Sequence, residues 1–347
     1  MTNRKLRRYF LAALAGVLAL GWFFLWPLSS YIETPGTADV LKNYVQVAKH
    51  PDQAAGSYRL TSVYMQPARP VTYLWAKYFN PLATIETKQA VTGGQSNATF
   101  NRVQSFYMQS AINQAMAVAF QAAHRPVTKT YNGIYVLEIQ PDSKFKQALK
   151  VGDTITKVDG KHFNTAAGYQ KYIARQGLGH RLTITYLHAG KTKQVTKPLI
   201  KIATGKPGIG IILTDNVTVK TDPVVKVDPG QIGGPSAGLM FALQIYQQVS
   251  GEDLRHGREI AGTGTIDAKG RVGEIGGIDK KVVAAHRAGA TIFFAPYVKP
   301  TKTILKYEEH HQTNYQLAKR TAQKYAPGMK VVPVKTFDDA VNYLRTH

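Results

Sequence analysis

A serine lies between a glycine-proline turn and an apolar run in the segment GGPSAG, residues 233–238. The last five residues satisfy the pattern G-x-S-x-G, which places a nucleophilic serine on a sharp turn before a helix. A serine in that position also fits a helix N-terminus, where its hydroxyl caps a backbone N–H group. The segment alone therefore leaves two interpretations open for Ser236, an acyl-transfer nucleophile and a helix cap.

A nucleophilic serine needs a base, and histidines follow it at His256, His286, His310 and His311. The order serine, acid, histidine is that of the α/β-hydrolases. The chain after Ser236 is short for that fold, however, and the long parallel-sheet pattern that normally precedes the serine is missing from the sequence. The sequence therefore disfavours a histidine base.

A lysine can also activate a serine if the lysine is neutral, because burial disfavours the ammonium form and lowers its pKa by several units. The segment IGGIDKKVVAAHRAG supplies Lys280 and Lys281. On a helix, Lys281 shares a face with Ala284 and Ala285 and is predicted to point inward. Lys280 lies about 100° further round and is predicted to reach solvent. The pattern therefore favours Lys281 as the base.

Other chemistries lack the residues that they need. The chain has no cysteine, which excludes a thiolate zinc site and a cysteine nucleophile. The run EEHH at residues 308–311 lacks the i, i+4 histidine spacing of H-E-x-x-H, and we predict no metal site. No segment fits G-x-x-x-x-G-K-[ST], so the sequence contains no P-loop and predicts neither an ATP-driven unfolding module nor a cofactor.

The formal net charge of +23 indicates an anionic partner. The basic residues are spread along the chain, and no helix-turn-helix, zinc-finger or RNA-binding pattern accompanies them. We therefore predict a cationic surface that meets an anionic membrane or cell wall, and no binding to nucleic acid.

The N-terminal segment indicates where the protein works. Basic residues in positions 1–8 precede the uncharged run 9–30, which is long enough for a membrane helix of about 20 residues. Trp22 and Trp26 lie toward its far end, where interfacial aromatic residues are common. The charge bias predicts a single-pass protein with a cytoplasmic N-terminus and an external C-terminal part. A cleaved signal peptide is the alternative, although no clear A-x-A site follows.

In the rest of the chain, the pattern of predicted secondary structure changes near residue 133. Before it, Pro35-Gly36 predicts a turn and residues 57–65 alternate like a half-buried strand. Residues 101–123 have the apolar spacing of an amphipathic core helix. After it come short strands with turn signals, then a helix predicted over 234–249, glycine-punctuated strands, a helix predicted over 279–288 and a closing strand and helix.

The middle of the chain resembles a bacterial PDZ domain over residues 125–200. The resemblance rests on Gly133-Ile134-Tyr135-Val136, on Gly152-Asp153-x-Ile155 and on Val158-Asp159-Gly160. It implies that a peptide adds to the sheet as a strand and that its carboxylate meets backbone N–H groups. The resemblance places that site at Gly133, Ile134, Tyr135 and Val136. A small α+β module without a peptide ligand is the alternative.

The last part resembles the proteolytic domain of the Lon protease family. The resemblance is carried by GPSAG together with GTGTIDAKGRVGEIGGIDKKVVAAHRAGA. It implies a Ser-Lys dyad of Ser236 and Lys281, with Thr263 orienting the lysine. Backbone N–H groups of Ser236 and of the Gly233-Gly234 turn are expected to stabilise the oxyanion.

This sequence departs from the Lon pattern at two positions. Gly233 stands where many Lon enzymes have an aspartate, and Thr265 stands in place of the acidic residue of the T-G-E segment. A role for those carboxylates therefore cannot be transferred to this chain, but neither change removes the dyad.

We predict an α+β multidomain protein that resembles the membrane-anchored PDZ–Lon peptidases of Gram-positive bacteria. Its predicted parts are a basic tail (1–8), a transmembrane anchor (9–30), an extracytoplasmic region (31–124), a PDZ-like module (125–200) and a Lon-type α/β proteolytic domain (201–347). The sequence leaves open whether 31–124 completes the protease fold and whether the protein forms oligomers. The predicted function is ATP-independent cleavage of peptides or small membrane proteins. The alternative is a peptide-binding scaffold with a silent Lon-like domain.

Overall fold

The computed structural model describes residues 3–347. Its α-helices are α1 (Asn3–Leu25), α2 (Pro70–Phe79), α3 (Lys88–Thr92), α4 (Asn97–Ala122), α5 (Ala166–Ala174), α6 (Gly238–Ser250), α7 (Ile278–Arg287), α8 (Lys302–Tyr307), α9 (Asn314–Tyr325) and α10 (Phe337–Thr346). Its strands are β1 (Ser30–Val40), β2 (Val45–Val47), β3 (Ser57–Pro67), β4 (Thr84–Thr87), β5 (Val127–Ile139), β6 (Thr154–Val158), β7 (Arg181–His188), β8 (Lys191–Pro198), β9 (Ile200–Lys201), β10 (Pro207–Gly208), β11 (Ile211–Thr221), β12 (Val225–Val227), β13 (Glu259–Gly262), β14 (Thr265–Ile266), β15 (Val272–Gly273), β16 (Ile292–Pro296) and β17 (Lys330–Val334).

The larger of the two main sheets is mixed and has six strands. Its strand order is β17-β16-β13-β3-β1-β4. β13 runs parallel to β3 and β16, whereas β1 runs antiparallel to β3 and β4. Strands from before residue 90 and from after residue 250 therefore share one sheet.

The helix that follows Ser236 is the centre of the main core. In α6 every residue from Gly238 to Val249 is buried, including its three glutamines. It packs against α4 and the six-stranded sheet. Ile112, Met116 and Phe120 of α4 are buried in the same cluster, so the predicted core stripe of that helix is confirmed.

A second sheet, with the order β11-β5-β6-β7-β8, has its own core beneath α5. The edge strand β11 begins at Ile211, beyond the boundary predicted at residue 200. The two sheets, their helices and the N-terminal apolar helix α1 confirm the predicted fold class.

The predicted peptide-binding residues Gly133, Ile134, Tyr135 and Val136 are inside this second sheet. β5 pairs with β11 on one side and with β6 on the other. A peptide strand needs a free edge, and this stretch has none, so the prediction for these four residues is wrong. The sequence could not reveal it because the pairing strand β11 comes some 70 residues later in the chain.

Two local predictions also differ from the structure. Pro35-Gly36 lies within β1 at an irregularity of its register with β3, not in a turn. The uncharged run 9–30 is helical only to Leu25, and β1 begins at Ser30.

The helix α1 is the one element among residues 3–347 that is long and apolar enough to cross a membrane. Its 23 residues span about 34 Å at about 1.5 Å per residue. A retained anchor and a signal sequence both fit these properties. Residues 1 and 2 of the predicted basic tail lie outside the described residues.

Candidate active site

Ser236 occupies a turn that ends where α6 begins, at Gly238. Two groups hold its carbonyl oxygen: the N–H of Gly264 donates at 2.8 Å and the hydroxyl of Thr263 at 3.0 Å. The residue that caps α6 is Ala237, and no side chain caps the helix. The helix-cap interpretation of Ser236 is therefore wrong, and its hydroxyl remains available for chemistry.

Lys281, on the first turns of α7, faces that hydroxyl. Its Nζ donates to Ser236 Oγ at 2.9 Å and to Thr263 Oγ1 at 3.3 Å. The lysine and Thr263 are both buried, whereas Ser236 is partly exposed. The structure thus brings together the three side chains that the two sequence motifs predicted, with Ser236 on the open side and Lys281 behind it.

The environment of Lys281 favours a neutral amine. Burial lowers the pKa of Lys281 from 10.5 to about 8, although the carboxylates of Glu33 and Glu309 act in the opposite direction. Removing an ammonium group from water destabilises its charged form. An amine with this pKa has a far larger neutral fraction near neutral pH than an ordinary lysine, and a general base requires that neutral form.

The neighbouring Lys280 is buried, which contradicts the prediction that it reaches solvent. Its side chain donates to both carboxylate oxygens of Asp279 at 3.1 Å, and its Nζ lies 3.7 Å from Glu33 Oε1. Burial raises the pKa of Glu33, and the nearby Lys280 opposes that rise. The two lysines therefore have different surroundings: Lys280 is paired with carboxylates, and Lys281 contacts hydroxyl groups.

Glu33 was missed by the sequence analysis. It lies on β1, where Pro35-Gly36 had predicted a turn and not a strand. No motif links it to residues almost 250 positions later, and only the pairing of β1 with β3, beside α7, brings it to the site.

The two glycines before the serine differ in their backbone contacts. Gly234 donates its N–H to the carbonyl of Gln104 at 3.0 Å, and its φ of 88° suits glycine. In the described conformation the N–H of Gly234 is therefore not available to an oxyanion, and Gly233 is the remaining expected donor of that turn. Among the hydrogen bonds of residues 3–347, none uses the N–H groups of Gly233 or Ser236, which leaves these two as donors.

The close approach of α4 also explains the residue type at Gly233. A Cβ at this position would lie 2.9 Å from the Cβ of Gln104. The loop before Ser236 is therefore packed directly on α4, and the aspartate of many Lon enzymes does not fit here without a shift.

The remaining candidates do not join the site. His256, His310 and His311 are exposed, and His286 is partly exposed. Within the described part of the chain, no group of three or more His, Cys, Asp or Glu residues has the geometry to hold a metal ion.

Two protein families match this chain. Residues 115–199 match the PDZ domain, and residues 212–318 match the Lon protease (S16) C-terminal proteolytic domain. The second match begins within β11 and includes Ser236, Thr263 and Lys281.

Curated Lon proteases are similar to the C-terminal part. The Lon protease of Heliobacterium modesticaldum is 41% identical over 86 residues, which is 24% of this chain and 10% of the relative. Lon protease 1 of Bacillus subtilis is 39% identical over 79 residues, again 10% of the relative. The chain thus spans about a tenth of the length of these relatives.

Solved PDZ structures are similar to the middle part. The PDZ domain of the SdrC-like protein from Listeria monocytogenes is 35% identical to this chain, with a TM-score of 0.24. The match covers 24% of this chain and 90% of the Listeria chain. The two family matches and the Lon relatives confirm the predicted combination of domains. The chain therefore contains a PDZ domain followed by a serine peptidase domain of the Lon type.

Proposed function

We propose that this protein is a membrane-anchored, extracytoplasmic and ATP-independent endopeptidase with Ser236 as nucleophile and Lys281 as general base. The observation that carries the proposal is the 2.9 Å contact between Lys281 Nζ and Ser236 Oγ, at a lysine whose side chain is buried. A lysine with a purely structural role would not need to contact a partly exposed serine beside the start of α6. An acyl-transfer site needs both.

The reaction begins with proton transfer from Ser236 to the neutral amine of Lys281, followed by attack of Oγ on the scissile carbonyl. Thr263 holds the lysine in place, because its Oγ1 accepts from Nζ and donates to the carbonyl of Ser236. The lysine then protonates the leaving amine, and an acyl-enzyme remains on the serine. Hydrolysis of that ester by a water molecule, with the same lysine as base, restores the site.

The oxyanion is met by the N–H groups of Ser236 and Gly233. Both lie in the turn before α6, whose N-terminal dipole also favours negative charge. A single donor aimed at a developing oxyanion typically contributes a factor of about 10²–10³ in rate. The bond from Gly234 to Gln104 helps this role because it fixes the turn to α4.

Substrate peptides are recruited at the free edge of the PDZ sheet. Beyond β11, no further strand is paired in the described residues, and α5 lies beside this edge. Asp215 of β11 accepts from the N–H of Ala166 at the start of α5, which fixes one end of the groove between them. A peptide added to β11 replaces the site first predicted on β5.

The proposed extracytoplasmic location of the two domains is supported by α1 and the residues that flank it. Basic residues before the span favour a cytoplasmic N-terminus, which puts both domains outside, where ATP is scarce. Peptides and segments that are already unfolded are then the accessible substrates. The net charge of +23 keeps the protein near anionic lipid or cell-wall polymers.

The domain division belongs to the same proposal. We assign residues 1–8 to a cytoplasmic tail and the part of α1 from residue 9 onward to the anchor. We divide the rest into a PDZ domain that ends with β11 and a proteolytic domain built from the segments on either side of it. This division is supported by the parallel pairing of β3 with β13.

The test is cleavage of a peptide library by the full chain in detergent without ATP, beside Ser236→Ala and Lys281→Ala. A shortened protein has to begin before Ser30, because β1 starts there. We expect cleavage by the wild-type protein that both variants lose. Equal background turnover in all three, with peptides still captured, would instead support the scaffold alternative. Activity in Lys281→Ala but not in Ser236→Ala would identify a different base.

A further inference from the structure

The short helix α2 is apolar on nearly all sides. Its inner face packs Tyr73 and Ala76 into a small cluster with Ile32 and Ala68. Its only charged residue is Lys77. A helix that is apolar all round is normally enclosed on all sides, so the outer face of α2 needs a partner.

That outer face is open to solvent. Leu74, Trp75, Tyr78 and Phe79 are exposed by 43%, 49%, 66% and 77% of their surfaces. With Val71 they follow the i, i+3, i+4, i+7, i+8 spacing of one helix face. A contiguous apolar patch of this kind marks an interaction surface. We call these five residues the α2 face.

The α2 face lies where the candidate membrane helix leaves the protein. After α1 ends at Leu25, the N–H of Leu28 donates to the carbonyl of Ala68 at 2.8 Å, directly before α2. The Leu28 side chain packs in the same cluster as Ala76. The connection from α1 to α2 is thus a fixed contact, not a flexible linker.

The composition of α2 fits the boundary of a bilayer. Trp75 and Tyr78 are of the types that concentrate at membrane interfaces. Arg69 and Lys77 are basic, and no acidic residue occurs from Arg69 to Phe79. Basic residues beside an apolar helix face favour a surface of anionic lipid.

The exposed residue Tyr64 extends the same side of the sheet. It is 57% exposed and pairs with Thr34, two residues from the buried Ile32 on β1. Because side chains alternate along a strand, Tyr64 lies on the sheet face that carries α2. A further aromatic side chain, the fourth, therefore lies on the side of the sheet that carries the α2 face.

We propose that the α2 face lies in the interface of the lipid bilayer that α1 spans, as a second membrane contact. The proposal depends on the anchor that is part of the proposed function, but not on the peptidase activity. The contact holds the six-stranded sheet at a fixed orientation to the membrane, because β1 connects α1 to that sheet and packs against α2. The active site then has a fixed height above the bilayer, which favours substrates cleaved close to the membrane.

The experiment uses the full chain in vesicles of phosphatidylcholine and phosphatidylglycerol that contain brominated lipids as quenchers. The chain has three tryptophans, at positions 22, 26 and 75. Trp22→Phe with Trp26→Phe leaves Trp75 as the reporter of the α2 face. Trp26→Phe with Trp75→Phe leaves Trp22 as the reporter of the anchor. As a matched control, Leu178→Trp in the chain without the three native tryptophans reports an exposed apolar position of the PDZ domain, 59% exposed.

We expect bromine near the headgroup to quench Trp75 at least about twofold more strongly than the single tryptophan of the Leu178→Trp control. Quenching of Trp22 alone would overturn the proposal and leave the anchor intact. A blue-shifted but unquenched Trp75 would also overturn it, because a protein surface would then cover the α2 face. Failure to quench Trp22 would contradict the anchor and the proposal together. Peptide cleavage, measured on the same samples, tests the peptidase activity separately.

Discussion

The protonation state of one lysine determines the pH dependence of the site. Burial lowers the pKa of Lys281 to about 8, and only the neutral amine can accept the proton of Ser236. We therefore predict that kcat/KM for a peptide substrate rises with pH and levels off above about 8. The profile is measured between pH 6 and pH 10 with the full chain. A rise centred near the pKa of histidine, about 6.5, would contradict a lysine base.

The buried ammonium of Lys281 also lowers the free energy of unfolding near neutral pH. Its folded pKa of about 8 lies below 10.5, its ordinary value. Below pH 8 the ammonium is charged in both states, and the full cost of burying it is present. Between pH 8 and 10.5 the unfolded chain binds more protons, so stability rises with pH. We predict that Lys281→Met increases the free energy of unfolding at pH 7 by on the order of 3 kcal/mol, and by less at pH 10.

The neighbouring lysine is the matched control for that prediction. Lys280→Met leaves the carboxylates of Asp279 and Glu33 without their ammonium partner, so it should destabilise the protein. Thermal or denaturant unfolding at pH 7 separates the two variants. Equal effects of the two substitutions would contradict the assignment of different surroundings to the two lysines.

At the residue scale, the sequence predicted the members of the proposed dyad better than the contacts around them. Two local motifs contain Ser236, Lys281 and Thr263, and both motifs lie within the matched Lon-type segment. The surroundings of Lys280 and the N–H of Gly234 depend on Glu33 and Gln104. Those contacts come from segments distant in sequence, and no local pattern records them.

At the scale of elements, a buried ion pair joins the N-terminal strands to the Lon-type part. Arg255, in the loop between α6 and β13, is fully buried and donates to Asp52 and to the carbonyl of Ala54. Gln244 of α6 donates to the same carboxylate at 2.8 Å. The loop before β3 is thereby fixed to α6.

We predict that Arg255→Met destabilises the protein by about 3–5 kcal/mol, because it leaves the carboxylate of Asp52 buried without its partner. The matched control is Arg271→Met, whose ion pair with Asp267 is 69% and 37% exposed and should contribute less than about 1 kcal/mol. Denaturant unfolding of both variants gives the comparison. Similar losses would show that the Arg255 pair does not connect the two segments as described.

Element types were predictable where hydrophobic spacing was strong, as in α4 and α6. They were missed where turn signals occur inside an element: β1 contains Pro35-Gly36 and still pairs with β3 and β4. The partners of strands were not predictable at all. β11 and β12 follow each other in sequence and belong to different sheets, since long-range pairing depends on the packing of the whole domain.

At the scale of the whole molecule, the PDZ sheet interrupts the chain that forms the proteolytic sheet. We predict that a specific protease site inserted at Gly205, in the exposed turn between β9 and β10, can be cut without separating the two fragments. The hydrogen bonds of β3 to β13 and the packing of α4 on α6 should hold them together. Size-exclusion chromatography of the cut protein in detergent tests this, with a denatured sample as control. Separate elution under native conditions would contradict a shared protease fold.

The most direct test of the central claim is covalent labelling of the full chain with a fluorophosphonate, which reacts with activated serines. Peptide mapping by mass spectrometry is applied to the wild-type protein, Ser236→Ala and Lys281→Met at pH 8. We predict one adduct, on the peptide that contains Ser236, and its loss in both variants. An adduct on another residue, or labelling of Ser236 that is unchanged in Lys281→Met, would contradict a Ser-Lys dyad.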